Sequence, residues 1–129
     1  MNERGQSLAE AAISFPILLF LLLGLINLAM YGLAGMNASN AANYGARQAS
    51  VAQADVQTVA LNSTRGKLDE VSVGTYTISV SGGGGRGNLI QITVGYQVPN
   101  FFGGLAGFFG GSSEEMQGQT VSYFRQEGW

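Results

Sequence analysis

The sequence predicts an α+β fold: a long N-terminal helix, a short second helix, then a three-stranded antiparallel β-sheet. Three observations predict it. No Asp, Glu, Lys or Arg occurs from Ala11 through Ala46. Small and polar residues recur at helical spacing through that stretch and beyond its apolar part. Two later segments alternate apolar and polar residues with the period of a strand.

The first helix starts from Ile13–Tyr31, ISFPILLFLLLGLINLAMY. Crossing a hydrocarbon core takes about 20 largely apolar residues. A cleaved secretory signal is the competing reading, with an apolar core of about 7–15 residues and an A-x-A-like site. "AMYGLAGMNAS" supplies small residues of that kind. Against it stand the length of the run, the acid Glu10 at its mouth, and small-residue patterning that continues past it. Gly24, Asn27, Tyr31, Ala34, Ala38, Ala41, Gly45 and Ala49 follow one another at three or four residues and so share a helix face. Small residues on one face let helix backbones approach closely. A continuous helix from about Ser7 to Ala52 is on the order of 65 Å long at 1.5 Å per residue. Pro16 removes one backbone donor early in it and marks a kink or a flexible first turn. Asn27, polar within the apolar run, is expected to bond a neighbouring helix or its own backbone.

From Ala52 to Leu68 the chain is weakly amphipathic, with Val56, Val59, Ala60 and Leu68 near one face. A short second helix is expected there, fraying at Gly66. In "VSVGTYTISVS" Tyr76, Ile78 and Val80 share a face; in "NLIQITVGYQV" Ile90, Ile92, Val94, Tyr96 and Val98 do. A less regular third strand is expected over about Gln117 to Gln126, with Val121 and Tyr123 adding to the same core. Such a small sheet with one apolar face needs a cover, which the outer half of the long helix supplies. "SGGGGRGN" joins the first two strands. Gly82 to Gly87 formally fit G-x-G-x-x-G but lead into a strand, so the dinucleotide-binding context is missing and a flexible hairpin tip is the reading. "PNFFGGLAGFFGGSSEE" sets Phe101, Phe102, Leu105, Phe108 and Phe109 among five glycines, which oppose a stable helix. Its aromatics either fold over the sheet edge or form an exposed contact loop for a neighbouring subunit, a membrane surface or an adhesion target; Phe101, Phe102, Phe108 and Phe109 are the candidate contact residues.

Composition excludes several function classes. The chain has 129 residues, a net charge of −2 and 11% charged residues, against an average near 25%. Its six Lys and Arg residues are scattered, whereas a phosphate-binding surface clusters them. It has no cysteine and no histidine, which removes disulfides, thiolate chemistry and the commonest general base. Glu114 and Glu115 are too few, and lack the ligand ladder, for a calcium site. No enzyme activity, metal or cofactor is expected.

Glu10 is the informative charge. A carboxylate at the edge of hydrocarbon is costly unless solvated or paired. It is either an interfacial acid in the first helical turn, favoured by the helix dipole, or one half of a pair that forms after proteolysis. A cut between Gly5 and Gln6 makes Glu10 the fifth residue of the new chain. The new Gln6 amine and the carboxylate are then opposite charges at similar depth, available to pair between stacked copies.

The run "RGQSLAEAAISFPILLFLLLGLINLAMYGLAGMNASNAANYGARQAS", its Gly5/Glu10 spacing, the early Pro16 and the Asn43–Ala49 stretch "NYGARQA" resemble the opening of TadE-like proteins of the tight-adherence (Tad/Flp) type IV pilus family. "QTVSYFRQE", Gln119–Glu127, resembles that family's closing strand. The resemblance implies a pilin-like fold and a prepilin peptidase substrate: a leader over 1–5, an N-terminal transmembrane and assembly helix over 6–52, and a small extracytoplasmic α+β domain over 53–129. Gln6 stands where ordinary type IV pilins have Phe or Met, and Ala11 follows Glu10 where the small major pilins have Tyr; both favour a pseudopilin. The implied function is a structural subunit assembled into or at the base of a type IV/Tad-type pilus for surface adhesion. The alternative is a non-assembling single-pass anchor or accessory protein of the pilus or secretion machinery. Glu10, Pro16, Gly24, Asn27, Ala34 and Ala38 are the expected assembly positions. The implied partners are like or related subunits, an inner-membrane assembly platform, the peptidase, and membrane lipid before assembly, with no nucleic acid. The implied location is the bacterial inner membrane, single-pass and N-in, before assembly, and the cell surface after it.

Overall fold

The computed structural model describes residues 3–71, 73–107, 110 and 114–127. In chain order they form α1 (Glu3–Ser50), α2 (Val56–Asp69), β1 (Thr75–Gly82), β2 (Leu89–Val98), α3 (Phe101–Ala106) and β3 (Met116–Arg125). The long helix, the short second helix and the three-stranded antiparallel sheet, in order β1-β2-β3, are those expected from the sequence. The residues fall into two compact units: 1–29 with 99–115, and 30–98 with 116–129. α1 contributes to both.

α1 forms because its residues are mostly strong helix formers, Leu in the first half and Ala in the second, with no charge between Glu10 and Arg47 to repel along the axis. The helix continues through Pro16. In the second unit, Ala34, Ala38, Ala41, Ala42, Ala46 and Ala49 are fully buried. The small-residue face is therefore occupied by the chain's own sheet and second helix. Gly45 shows how tight the fit is. A Cβ there would overlap Thr64 Oγ1 and lie 3.0 Å from the Ala60 carbonyl oxygen.

The turn into α2 passes through Asp55 in the left-handed region, φ 49° and ψ 45°, a conformation that Asp tolerates better than most residues. α2 buries Val56, Ala60, Thr64 and Leu68, one residue per turn. Thr64 adds no orphan polar group, since its Oγ1 donates to the Ala60 carbonyl at 2.7 Å. Gly66 does not fray the helix, which runs on to Asp69; its neighbours on the inner face hold that last turn through Leu68.

β2 is central. Ile90, Ile92 and Val94 are fully buried and face the alanines of α1, each contributing about 1.5–3 kcal/mol by burial. β1 adds Tyr76, Ile78 and Val80 on the same face, with Ile78 opposite Val94 and Val80 opposite Ile92. β3 departs from expectation. Val121 and Tyr123 are exposed on the other face, while Ser122 and Phe124 turn inward. The register decides this. Phe124 pairs with Ile90 and Ser122 with Ile92, and directly opposed residues in an antiparallel ladder point to the same side. Ser122 is small enough to lie against α1, where its Oγ donates to Asn43 Oδ1 at 2.7 Å.

The glycine-rich hairpin tip is tied down rather than free. Gln126 Oε1 accepts from Gly85 N at 3.2 Å, its carbonyl accepts from Gly87 N at 2.9 Å, and its own N–H donates to Asn88 O at 2.8 Å. Gln126 is buried. The next residue bonds α1, with Glu127 N donating to Ser50 O at 2.8 Å.

Candidate functional site

In the first unit, α1 exposes a continuous apolar surface. Leu8 is 71% exposed and Ile13 69%, and Phe15, Ile17, Leu18, Leu21, Leu22 and Leu25 are exposed with them. An 18-residue window of this helix has a mean hydropathy of 2.4, with 6% of the window buried. The core helix of a soluble protein would be mostly covered. A surface this large and this apolar marks association with a membrane or with other apolar surfaces.

Gly5, Gln6 and Glu10 lie exposed at the start of the helix. Gln6 Nε2 donates to Glu10 Oε1 at 3.4 Å, one turn apart. Among the described residues no cation pairs with Glu10; the ion pair they contain is Lys67–Glu70 at 2.7 Å, exposed on the second unit. There the hydrogen bond and charge of Glu70 raise the Lys67 ammonium above its ordinary value. Pro16 is exposed and Gly24 half-buried on the same helix. Ala34 and Ala38 are fully buried in the second unit.

Asn27 is 3% exposed and bonds the residues that open the neighbouring helix, α3. Its Oδ1 accepts the Phe101 backbone N–H at 2.9 Å and its Nδ2 donates to Asn100 Oδ1 at 3.2 Å. Asn100 in turn caps α3. Its Oδ1 accepts from Gly103 N at 2.8 Å, and its Nδ2 donates to the Glu114 carbonyl at 3.1 Å. That cap is what allows α3 to form over Phe101–Ala106, against the low helix propensity of its two glycines. Phe102 sits edge-on to Phe20, centroids 5.9 Å apart and planes at 74°. With Ile17, Leu21, Gly24 and Leu28 it lines an apolar groove of about 430 Å³. Phe101 and Phe102 remain 50% and 39% exposed. Phe108 and Phe109 lie outside the described residues.

Asn100 is the residue that sequence reasoning missed. The signal was present: an Asn after Pro99, three residues before Gly103, is an N-cap pattern. The glycines that follow outweighed it.

A second constellation lies within the other unit. Tyr31 and Tyr96 are in ring contact, centroids 5.3 Å apart and planes tilted by 54°, and Tyr31 Oη donates to the Gln117 carbonyl at 3.2 Å. Gly118 leaves the space for them, since a Cβ there would overlap the Tyr96 ring and come within 2.7 Å of Tyr31 Oη. The hydrogen bond with Tyr31, and after it burial, raise the Tyr96 hydroxyl above its ordinary value. Among the described residues, no group of three or more His, Cys, Asp or Glu converges.

Comparison with curated proteins and with solved structures gives no match. β1, β2 and β3, and the Gln119–Glu127 stretch that begins in β3, lie outside the residues that a family model covers. That model matches residues 5–47, from the glycine of the proposed cut to the arginine that ends the uncharged run. Over those residues, the chain is similar to the TadE-like proteins.

Proposed function

We propose that the protein is a pilin-like structural subunit. It is cut between Gly5 and Gln6 by a prepilin peptidase, held in the inner membrane by α1 with its N-terminus inside, and assembled into or at the base of a tight-adherence pilus. The similarity to TadE-like proteins implies association with that pilus, and the exposed apolar helix implies association with a membrane. The observation that carries the finer reading is the match over residues 5–47. It includes the glycine, the exposed Glu10 five residues on, and the whole apolar surface of α1.

Mechanism here is packing. Apolar helices exchange lipid for one another, so the positions that remain open on the subunit's surface do the docking. These are Glu10, Pro16 and the lipid-facing leucines. Glu10, without an in-chain cation among the described residues, is available to a neighbour's Gln6 amine. Gly24 lines the groove beside Phe102, Asn27 holds α3, and Ala34 and Ala38 act one step back by letting the sheet approach α1. The peptidase, an inner-membrane platform and related subunits are the partners this requires.

The deciding experiment is the N-terminus of the protein isolated from cells. A mature chain beginning at Gln6, recovered with sheared surface filaments in electron microscopy, is the expected result. A chain that retains Met1 to Gly5 overturns the peptidase step. A processed chain found in membranes and never in filaments overturns assembly.

A further inference from the structure

The segment after β2 carries no charged residue from Pro99 to Ser113, and five of its residues are Phe or Leu. Its helix α3 does not stand clear of the chain. Phe102 packs edge-on to Phe20 at 5.9 Å, and the Phe101 N–H is held by Asn27 at 2.9 Å. Both contacts fall on the part of α1 with a mean hydropathy of 2.4. If Glu10 marks one edge of the hydrocarbon, Phe20 lies about 15 Å and Asn27 about 26 Å along the helix at 1.5 Å per residue. The hydrocarbon is about 30 Å thick. The contacts are therefore at hydrocarbon depth.

We propose that residues 99–107 are a second membrane-embedded element, in which α3 is clamped on the span with Phe101 and Phe102 turned to lipid acyl chains. The proposal rests on the reading of α1 as a membrane span. Two of the N–H groups that open α3 are partnered as hydrocarbon demands. Without water to bond it, an unpaired backbone group is strongly unfavourable, so it must find a partner inside the protein. The first N–H of α3 finds Asn27, and the Gly103 N–H finds the side chain of Asn100 at 2.8 Å and its carbonyl at 3.1 Å. Asn27 is itself shielded, at 3% exposure. The one asparagine of the apolar run thus serves as the tie for a returning loop. The half-exposed phenylalanines and the groove beside Phe102 complete an apolar outer surface. Acyl chains fit it, because among the described residues the side chains that line the groove are all apolar.

The test uses the absence of native cysteine. Gly104→Cys places one label on α3, where a Cβ meets no atom within 4 Å. The full chain is spin-labelled there and reconstituted in phosphatidylethanolamine–phosphatidylglycerol vesicles. Its collisions with oxygen and with a water-soluble nickel chelate are compared with those of Leu18→Cys on the span and Asn62→Cys on α2. Phe101→Cys is the second position, in case the glycine site perturbs folding. The expected result groups the α3 labels with Leu18, with oxygen access high and nickel access several-fold below that at Asn62. Nickel access at α3 equal to that at Asn62, with Leu18 still protected, overturns the clamp and leaves the span. Protection from both reagents, with dipolar broadening that vanishes on dilution by unlabelled protein, means a second copy covers the surface and overturns the lipid assignment. Nickel access at Leu18 overturns the span and the clamp together.

Discussion

Gly45 and Gly66 are both helical glycines, and they respond to the same substitution in opposite directions. A Cβ at Gly66 meets nothing within 4 Å, so Gly66→Ala gains the helix propensity of alanine and stabilises by about 0.5–1 kcal/mol. At Gly45 the Cβ overlaps Thr64 Oγ1. The packing cost of about 1–3 kcal/mol outweighs the same propensity gain. Thermal unfolding of the full chain in detergent therefore shows a higher midpoint for Gly66→Ala and a lower one for Gly45→Ala. Thr64→Ala in the Gly45→Ala background restores part of the loss, because the two residues share one contact. Tyr96 gives a pH signature at the same scale. Its hydroxyl is raised above 10.0, first by the hydrogen bond with Tyr31. The fold favours the neutral phenol, so its contribution is complete below the ordinary value and is lost as the pH rises through the raised one. Urea unfolding followed from about pH 8 to about pH 11 shows falling stability at the alkaline end, and Tyr96→Phe makes that arm shallower. Lys67, also raised, titrates in both proteins and cancels in the comparison.

Among the elements, α3 is the one whose existence depends most on a single distant side chain. Asn27→Ala removes the acceptor for Phe101 N–H and the donor to Asn100. Each group left unpaired costs about 1–3 kcal/mol, comparable to what a six-residue helix with two glycines has in reserve. The expectation is faster amide exchange at Phe101 and Gly103 in micelles, with β2 amides unchanged. The alternation of β2 was fully legible, because a buried central strand repeats its demand at every second residue. β3 was not. It carries apolar residues at both parities, Val121 and Tyr123 at one and Phe124 at the other. Only pairing with β2 selects between them, by placing Phe124 opposite Ile90.

For the whole molecule, the expected behaviour follows from keeping apart the two jobs of α1. Its second half is part of a folded core, with its alanines covered by the sheet. Its first half is apolar and open, apart from Glu10 and the positions that meet α3. Glu10→Ala therefore leaves the fold and membrane insertion intact, since among the described residues the carboxylate has one long contact, to Gln6 at 3.4 Å, while blocking assembly. Fractionation measures insertion, and electron microscopy of sheared material measures assembly. Normal filaments from the variant would remove the proposed charge pairing and leave Glu10 an interfacial acid. Two features were determined by the sequence alone: an uncharged apolar helix from Ala11 onward, and a sheet to follow it. Both depend on hydropathy and periodicity, which are properties of neighbouring residues. The tertiary structure decided that the small-residue face of α1 is covered from within the chain, that Asn27 serves a loop some seventy residues away, and which face of β3 is inside. Those depend on register and on chain closure, which bring together residues whose local patterns carry no mark of one another.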